Sequence, residues 1–373
     1  MFAHSLYSSQ FHRILLVQFG TIRDIIRTLP IVNILRLRFP HAKIAWLASP
    51  DMINFLNHYD ITDRLIVAKP LWYKKFYEIK TLKKKFQSYS PDLCIDLQGD
   101  ISSGLAARLS GSGERISIRG QRCRLFGKPK KIEPETRPLE KYLQIMELLG
   151  VAGASIDYDL PEIMLERSDT AWIFRELGLE TTPFAMLGVG VQSNSTCWEI
   201  DRYVQVTKHL GYTHNLPTLV TWQSTREKLI AGKIMSEACE MATLAPALSA
   251  IQLAALARRT SVFVGTDNDF LHIAAAVGSP CIGVLCDEIA NRTAPCCSNF
   301  QTIMASIGEP CWKRRSAGTR MTPVRIDNYT YDVIQVCNAC DDILQPEPTF
   351  EPNRGFHAKT QRKSGSQKTI HPF

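Results

Sequence analysis

The sequence has no apolar run long enough to cross a membrane. Its longest stretches, such as Ile14–Phe19 and Ile273–Val277, fall well short of the ~18 residues a spanning helix needs. It has no acidic excess, and its basic excess is modest: 44 Lys and Arg against 36 Asp and Glu give a net charge of +8 over 373 residues. The basic residues are not gathered into an aromatic-interleaved patch, and no RRM, KH or helix-turn-helix pattern occurs, so nucleic acid is not an expected partner. A GxGxxG turn is missing after the first apolar strand, which excludes a nicotinamide fingerprint there. Met1–Phe11 lacks a basic start followed by an apolar block, so we expect no secretion signal and a chain that stays where it is made. The 11 cysteines are scattered through apparent strands and helices and are expected as reduced, mostly buried thiols. Cys337-Asn-Ala-Cys340 falls inside a helical pattern, Tyr331–Leu344, where its spacing puts both thiols on one face, and no metal is expected.

What is present is the composition of a globular protein, 45% hydrophobic and 21% charged, long enough for two domains. Apolar strands alternate with helix-length segments. In the first half the strands are Arg13–Phe19, Lys43–Ala48, Arg64–Ala68 and Leu93–Leu97, with a helix running to Arg38 and another near Leu139–Leu149. In the second half strands at Phe184–Val189, Thr218–Thr221, Ser261–Val264 and Cys281–Leu285 interleave with helices near 200–210, 224–239, 249–259 and 268–277. This alternation implies right-handed crossovers and parallel sheets. The expected organisation is an extension at 1–12, domains at 13–160 and 161–330, a closing helix at 331–344 and a basic, structureless tail at 345–373.

Ligands of open parallel sheets bind beyond the carboxyl ends of the strands, and four strand-to-helix loops carry polar groups there. Gly20-Thr-Ile-Arg-Asp24 follows the first strand. Asp24 sits where a helix begins, so it is either a cap or first-turn dipole partner, or a carboxylate facing a cleft as general base. Asp96-Leu-Gln-Gly99 brings a carboxylate, an amide and a glycine to a strand end. Gly188-Val-Gly190, with the small hydroxyls of 192–196, would let backbone approach an anion. In Val264–Pro280 a strand ends, Thr266-Asp-Asn-Asp269 opens a helix, and Ala274-Ala-Ala276 lets that helix pack closely; N–H groups at such a start suit a diphosphate.

Together these segments resemble glycosyltransferase family 9, the ADP-heptose:lipopolysaccharide heptosyltransferases, from Arg13 to about Leu344. The carriers are Arg13–Pro30 with its Thr28-Leu-Pro30 ending, the Asp-Leu-Gln-Gly strand end at 96–99, and the Trp222–Lys228 loop. Cys311-Trp-Lys-Arg314 adds to them. Val264–Pro280 is similar to the signature Asp-Thr-Gly-x-x-His-Leu-Ala-Ala-Ala-x-Gly-x-Pro. The resemblance implies an α/β, GT-B fold of two Rossmann-like doubly wound domains facing a cleft. It implies inverting transfer of a heptose or similar sugar from an ADP-sugar to an anionic lipopolysaccharide inner-core or Kdo-lipid A acceptor, without metal or cofactor. By the same resemblance Asp24 is the base, Arg23, Gln98 and Gly99 meet the acceptor, and Thr196, Glu227, Asp267, Asn268, Asp269 and His272 hold the donor. A cytoplasmic protein is implied, peripheral on the inner face of the inner membrane, touching it through residues such as Trp72, Tyr73, Lys74 and Lys75. Four motifs depart from the family: Arg23 replaces a Gly, Thr196 a Lys, Asn268-Asp269 a Thr-Gly, and Leu285-Cys-Asp-Glu-Ile a Phe-Gly-Pro-Thr loop. A carboxylate at 269 repels a phosphate by about 3 kcal/mol at ~5 Å and an effective dielectric of ~20. The alternative is therefore a catalytically degenerate member that binds a nucleotide, glycan or partner without transfer.

Overall fold

The computed structural model describes residues 11–118, 128–129, 138–151, 167–190, 198–285, 294–295, 299–304 and 329–345. The first half runs β1 (Arg13–Val17), α1 (Ile22–Arg38), β2 (Lys43–Ala48), α2 (Pro50–Leu56), β3 (Arg64–Val67), α3 (Phe76–Tyr89), β4 (Leu93–Asp96), α4 (Ile101–Leu109), β5 (Glu114–Ser117), β6 (Lys128–Pro129) and α5 (Pro138–Leu148). The second half runs α6 (Arg167–Glu176), β7 (Ala185–Gly188), α7 (Ile200–His214), β8 (Thr218–Thr221), α8 (Thr225–Ala238), β9 (Ala242–Leu244), α9 (Ala250–Arg259), β10 (Val262–Thr266), α10 (Asp269–Ala276), β11 (Cys281–Leu285), β12 (Phe300–Met304) and α11 (Tyr329–Leu344).

The strands form two six-stranded sheets in the orders β3-β2-β1-β4-β5-β6 and β12-β11-β10-β7-β8-β9. All their pairings are parallel. Read from its first strand, each sheet has the same doubly wound order, so each has a switch point where crossovers change direction: β1/β4 in the first and β7/β10 in the second. The strands are continuous apolar runs because helices cover both faces; Leu15, Leu16, Trp46, Ile95, Met186 and Val264 are fully enclosed. The change of sheet falls between α5, which packs on α1, and α6, which packs on α9. Across the halves α1 packs against α10, and one apolar cluster runs through Ile22 and Ile26 of α1 to Phe270 and Ile273 of α10.

Two expectations are corrected. α1 begins at Ile22, so Arg23 and Asp24 lie in a helix's first turn and not in a loop. Trp72 is only 3% exposed, its indole packed against Leu82 and Phe86 of α3, so it cannot touch a membrane. The exposed apolar groups nearby are Leu71, Phe76 and Tyr77. Among the described residues no helix is long and apolar enough to cross a membrane. Residues 346–373, expected to lack structure, lie outside the described residues.

Candidate active site in the interdomain cleft

The carboxyl ends of the two switch points face one another, because α1 and α10, which leave them, pack together. On the first-domain side the chain leaving β1 is held by side chains. Gln18 accepts from Gly20 N–H at 3.2 Å and donates to the Tyr142 hydroxyl at 3.1 Å; Gln98 accepts from Phe19 N–H at 2.9 Å. Gly99, at φ 71°, makes the turn after β4, and its N–H donates to the enclosed Asp96 carboxylate at 2.9 Å. Gln98 and Gly99, expected to meet an acceptor, thus brace this loop against the β1 end.

Asp24 stands at the third position of α1. Its Oδ2 accepts from the Thr21 N–H at 3.0 Å and the Thr21 hydroxyl at 2.9 Å, so the capping role is real. Its Oδ1 lies 3.7 Å from Arg27 Nη1, and the side chain is 36% exposed. Capping uses one oxygen and leaves the other beside Arg27. A Cβ at Gly20 would sit 2.5 Å from Asp24 Oδ2, so a larger residue there would push that carboxylate out of its cap.

On the second-domain side α10 starts beyond β10. Asn268 caps it, accepting from Leu271 N–H at 2.9 Å while its amide donates to Val189 C=O at 3.2 Å, which ties the helix start to the end of β7. Glycine is needed at 190, where a Cβ would meet Thr266 Oγ1 at 2.4 Å. Burial pushes the Asp267 carboxyl up, but the hydrogen bond from His272 and the charge of Arg23 outweigh it and hold it below its ordinary value. His272, 1% exposed and 3.5 Å from Asp267, is driven by burial down to about 4 and is neutral. Asp269 opens the first turn of α10; its burial raises the carboxyl against the opposing pull of Arg23, with Asp24 and Asp267 adding to the rise.

Arg23 joins the two sides. From α1 its Nη1 reaches Asp267 at 3.1 Å and its Nε reaches Asp269 at 3.4 Å. Two of the four sequence departures, Arg23 and Asp269, therefore meet: the cation on one domain answers the extra carboxylate on the other. Nothing in their separation by 246 positions signals this. Arg27, also on α1, is buried behind Arg23, and that burial lowers its pKa. Next to this cluster a cavity of about 240 Å³ opens between Ile22 of α1, Trp222 and Gln223 after β8, Leu248 after β9, and Phe270 of α10. Lys228 stands 4.9 Å over the Trp222 ring. Glu227, at the rim, spends Oε2 on the N–H groups of Gln223 and Ser224 at 2.8 and 2.9 Å, fixing that loop and the start of α8. Thr196 lies outside the described residues, as do Cys311, Lys313 and Arg314.

Two doubly wound domains whose switch points face one another across a cleft make this a GT-B fold. Residues 79–324 match the sequence model of glycosyltransferase family 9 (heptosyltransferase), and the chain belongs to that family; it is a glycosyltransferase. It is 25% identical over 281 residues to the lipopolysaccharide heptosyltransferase 3 of Escherichia coli K12, covering 70% of this chain and 78% of that one. Among solved structures it superposes on a family 9 glycosyl transferase of Veillonella parvula with TM-score 0.73 and 17% identity, covering 91% of this chain and 98% of that one. It superposes on the E. coli ADP-heptose lps heptosyltransferase II with TM-score 0.70 and 15% identity, covering 89% and 98%.

Proposed function

We propose that this protein transfers a heptose from ADP-heptose to an anionic lipopolysaccharide inner-core or Kdo-lipid A acceptor, with inversion and without a metal. The observation that carries the reading is the position of Asp24 across the cleft from the start of α10, joined to it by Arg23 at 3.1 Å. The cavity between Trp222, Leu248 and Phe270 suits the nucleobase, and the N–H groups of α10 suit the diphosphate. The acceptor hydroxyl attacks the anomeric carbon as the bond from that carbon to the diphosphate oxygen breaks. The proton passes to Asp24 and the leaving charge falls on α10 and Arg23. A single in-line displacement inverts the carbon. Asp267, aligned by neutral His272, sets the Arg23 guanidinium.

The acceptor's lipid lies in a membrane, so the protein works at the cytoplasmic surface, held there by Leu71, Phe76 and Tyr77 among Lys74, Lys75, Lys80 and Lys83.

A second reading, binding without transfer, is favoured by one observation: the Arg23 charge is already engaged by two carboxylates. The two are separated by titrating the protein with ADP and ADP-heptose and then assaying ADP release on a Kdo-lipid acceptor. Binding with acceptor-dependent release supports transfer. Binding without release supports the second reading, and no ADP binding contradicts both placements of the donor.

A further inference from the structure

Helix α7 runs back from the carboxyl edge of the second sheet, so its last turn lies at the end of the domain far from the cleft. There α11 packs along it. Near its start α11 is anchored by the buried pairing of Asp332 with Arg202, Asp332 also accepting from Trp198 Nε1 at 3.1 Å. Nine residues on, two imidazoles of α7 converge on a single oxygen of α11: His209 Nε2 is 2.7 Å and His214 Nε2 2.6 Å from Asp341 Oδ1. The rings meet edge to face with centroids 5.7 Å apart, and the three donor atoms all lie within 4.8 Å of one another.

We propose that His209, His214 and Asp341 form a binding site for a divalent transition-metal ion, Zn²⁺ being the ion their donors suit best. Two imidazole nitrogens and a carboxylate oxygen are the donor set Zn²⁺ takes when water completes its tetrahedron. Bonds of ~2.0–2.1 Å place tetrahedral ligand atoms about 3.3 Å apart, so each His–Asp separation has to open by only about 0.6 Å. The three side chains are between 19% and 33% exposed, which gives them room to turn and gives the ion and its water a way in. A ligating imidazole commonly donates its other N–H to a neighbouring acceptor, which fixes the tautomer. Thr213 Oγ1, 3.4 Å from His209 Nδ1, is placed to be that acceptor. Because the ligands come from two helices, the ion cross-links α7 to α11, which itself packs on β10, β11 and β12. The site is independent of the cleft and of the reaction assigned to it. It escapes a sequence reading because the histidines are five residues apart, a spacing that ordinarily turns helical side chains to different faces, and Asp341 follows 127 residues later.

The test uses the full-length protein, stripped with a chelator and titrated with Zn²⁺ and Co²⁺. We expect one equivalent bound, a rise in Tm on adding Zn²⁺ that the chelator reverses, and a Co²⁺ adduct with d–d bands but no thiolate-to-metal charge transfer. The last point matters because Cys337 lies one turn before Asp341 on α11. His214→Gln keeps a hydrogen-bond donor to Asp341, and Asp341→Asn keeps an acceptor; each should weaken Zn²⁺ binding at least ~100-fold while leaving far-UV circular dichroism unchanged. No Zn²⁺ binding by the parent overturns the proposal and leaves the cluster as a hydrogen-bonded staple. So does a thiolate charge-transfer band, or undiminished affinity in both folded variants. Should both variants fail to fold, the parent's Co²⁺ spectrum decides between imidazole–carboxylate and thiolate ligation.

Discussion

Asp269 is the residue whose presence at the diphosphate end of α10 needs a physical explanation. A carboxylate at the first position of a helix is locally stabilising through the dipole, yet it competes with any bound anion for the same N–H groups. Arg23 partly neutralises it at 3.4 Å. Asp269→Asn removes the repulsion and leaves Arg23 only one carboxylate partner, Asp267, so ADP should bind about tenfold tighter by calorimetry, within the ~3 kcal/mol bound on one such charge pair. Weaker or equal binding would mean that phosphate does not sit at α10. His272 carries a second consequence. Its folded pKa of about 4 lies below its ordinary 6.5, so between those values the unfolded chain binds more protons than the folded one. Its contribution is present in full above pH 6.5 and is lost as pH falls toward 4, at a cost of about 3 kcal/mol. Denaturant titrations should show stability declining across that window in the parent and a shallower decline in His272→Gln; parallel slopes would mean that the imidazole is not buried neutral.

At the scale of elements, glycine positions separate constraint from tolerance. At 190 an added methyl meets Thr266 and the Asn268 cap, so Gly190→Ala should lower Tm by several degrees and weaken nucleotide binding. At 232, inside α8, nothing lies within 4 Å of the added methyl, and Gly232→Ala should raise stability by up to ~1 kcal/mol. If thermal melts rank the two variants the other way, the close approach of the α10 start to the residues after β7 is wrong. The same physics decides what could be read in advance. β2, β8 and β11 were legible to the residue because buried parallel strands are unbroken apolar runs bounded by polar turns. β12, with only Ile303 enclosed and three of five residues exposed, carries no such run and was missed. Helices α2 and α4 were missed too: the first is only seven residues long, and the second carries two serines and a glycine in its first turn. Asp24 and Asn268 were legible as residues at element starts, but the partner of Arg23 was not, since their contact exists only when α1 meets α10. Trp72 misled because an aromatic among lysines has the composition of a membrane contact whichever way its ring points.

The whole molecule is two copies of one topology arranged so that their switch points oppose. A basic, partly apolar rim on α3 of the first domain would hold that cleft to an anionic membrane. Phe76→Ser with Tyr77→Ser should reduce co-sedimentation with anionic vesicles several-fold at low salt, while leaving Tm unchanged because both side chains are over 70% exposed. Binding unaffected by this double change, or equal on neutral vesicles at high salt, would place the contact elsewhere. In the proposed transfer a carboxylate of the first domain takes the acceptor proton while the second domain holds the donor. Asp24→Asn probes that carboxylate, because asparagine keeps an oxygen for the Thr21 cap and removes the basicity together with the charge beside Arg27. In single-turnover and steady-state assays with ADP-heptose and a Kdo-lipid acceptor, kcat should fall at least ~100-fold, with Kd for ADP and Tm nearly unchanged. A variant that folds, binds ADP and turns over at the parent's rate would show that Asp24 is not the base.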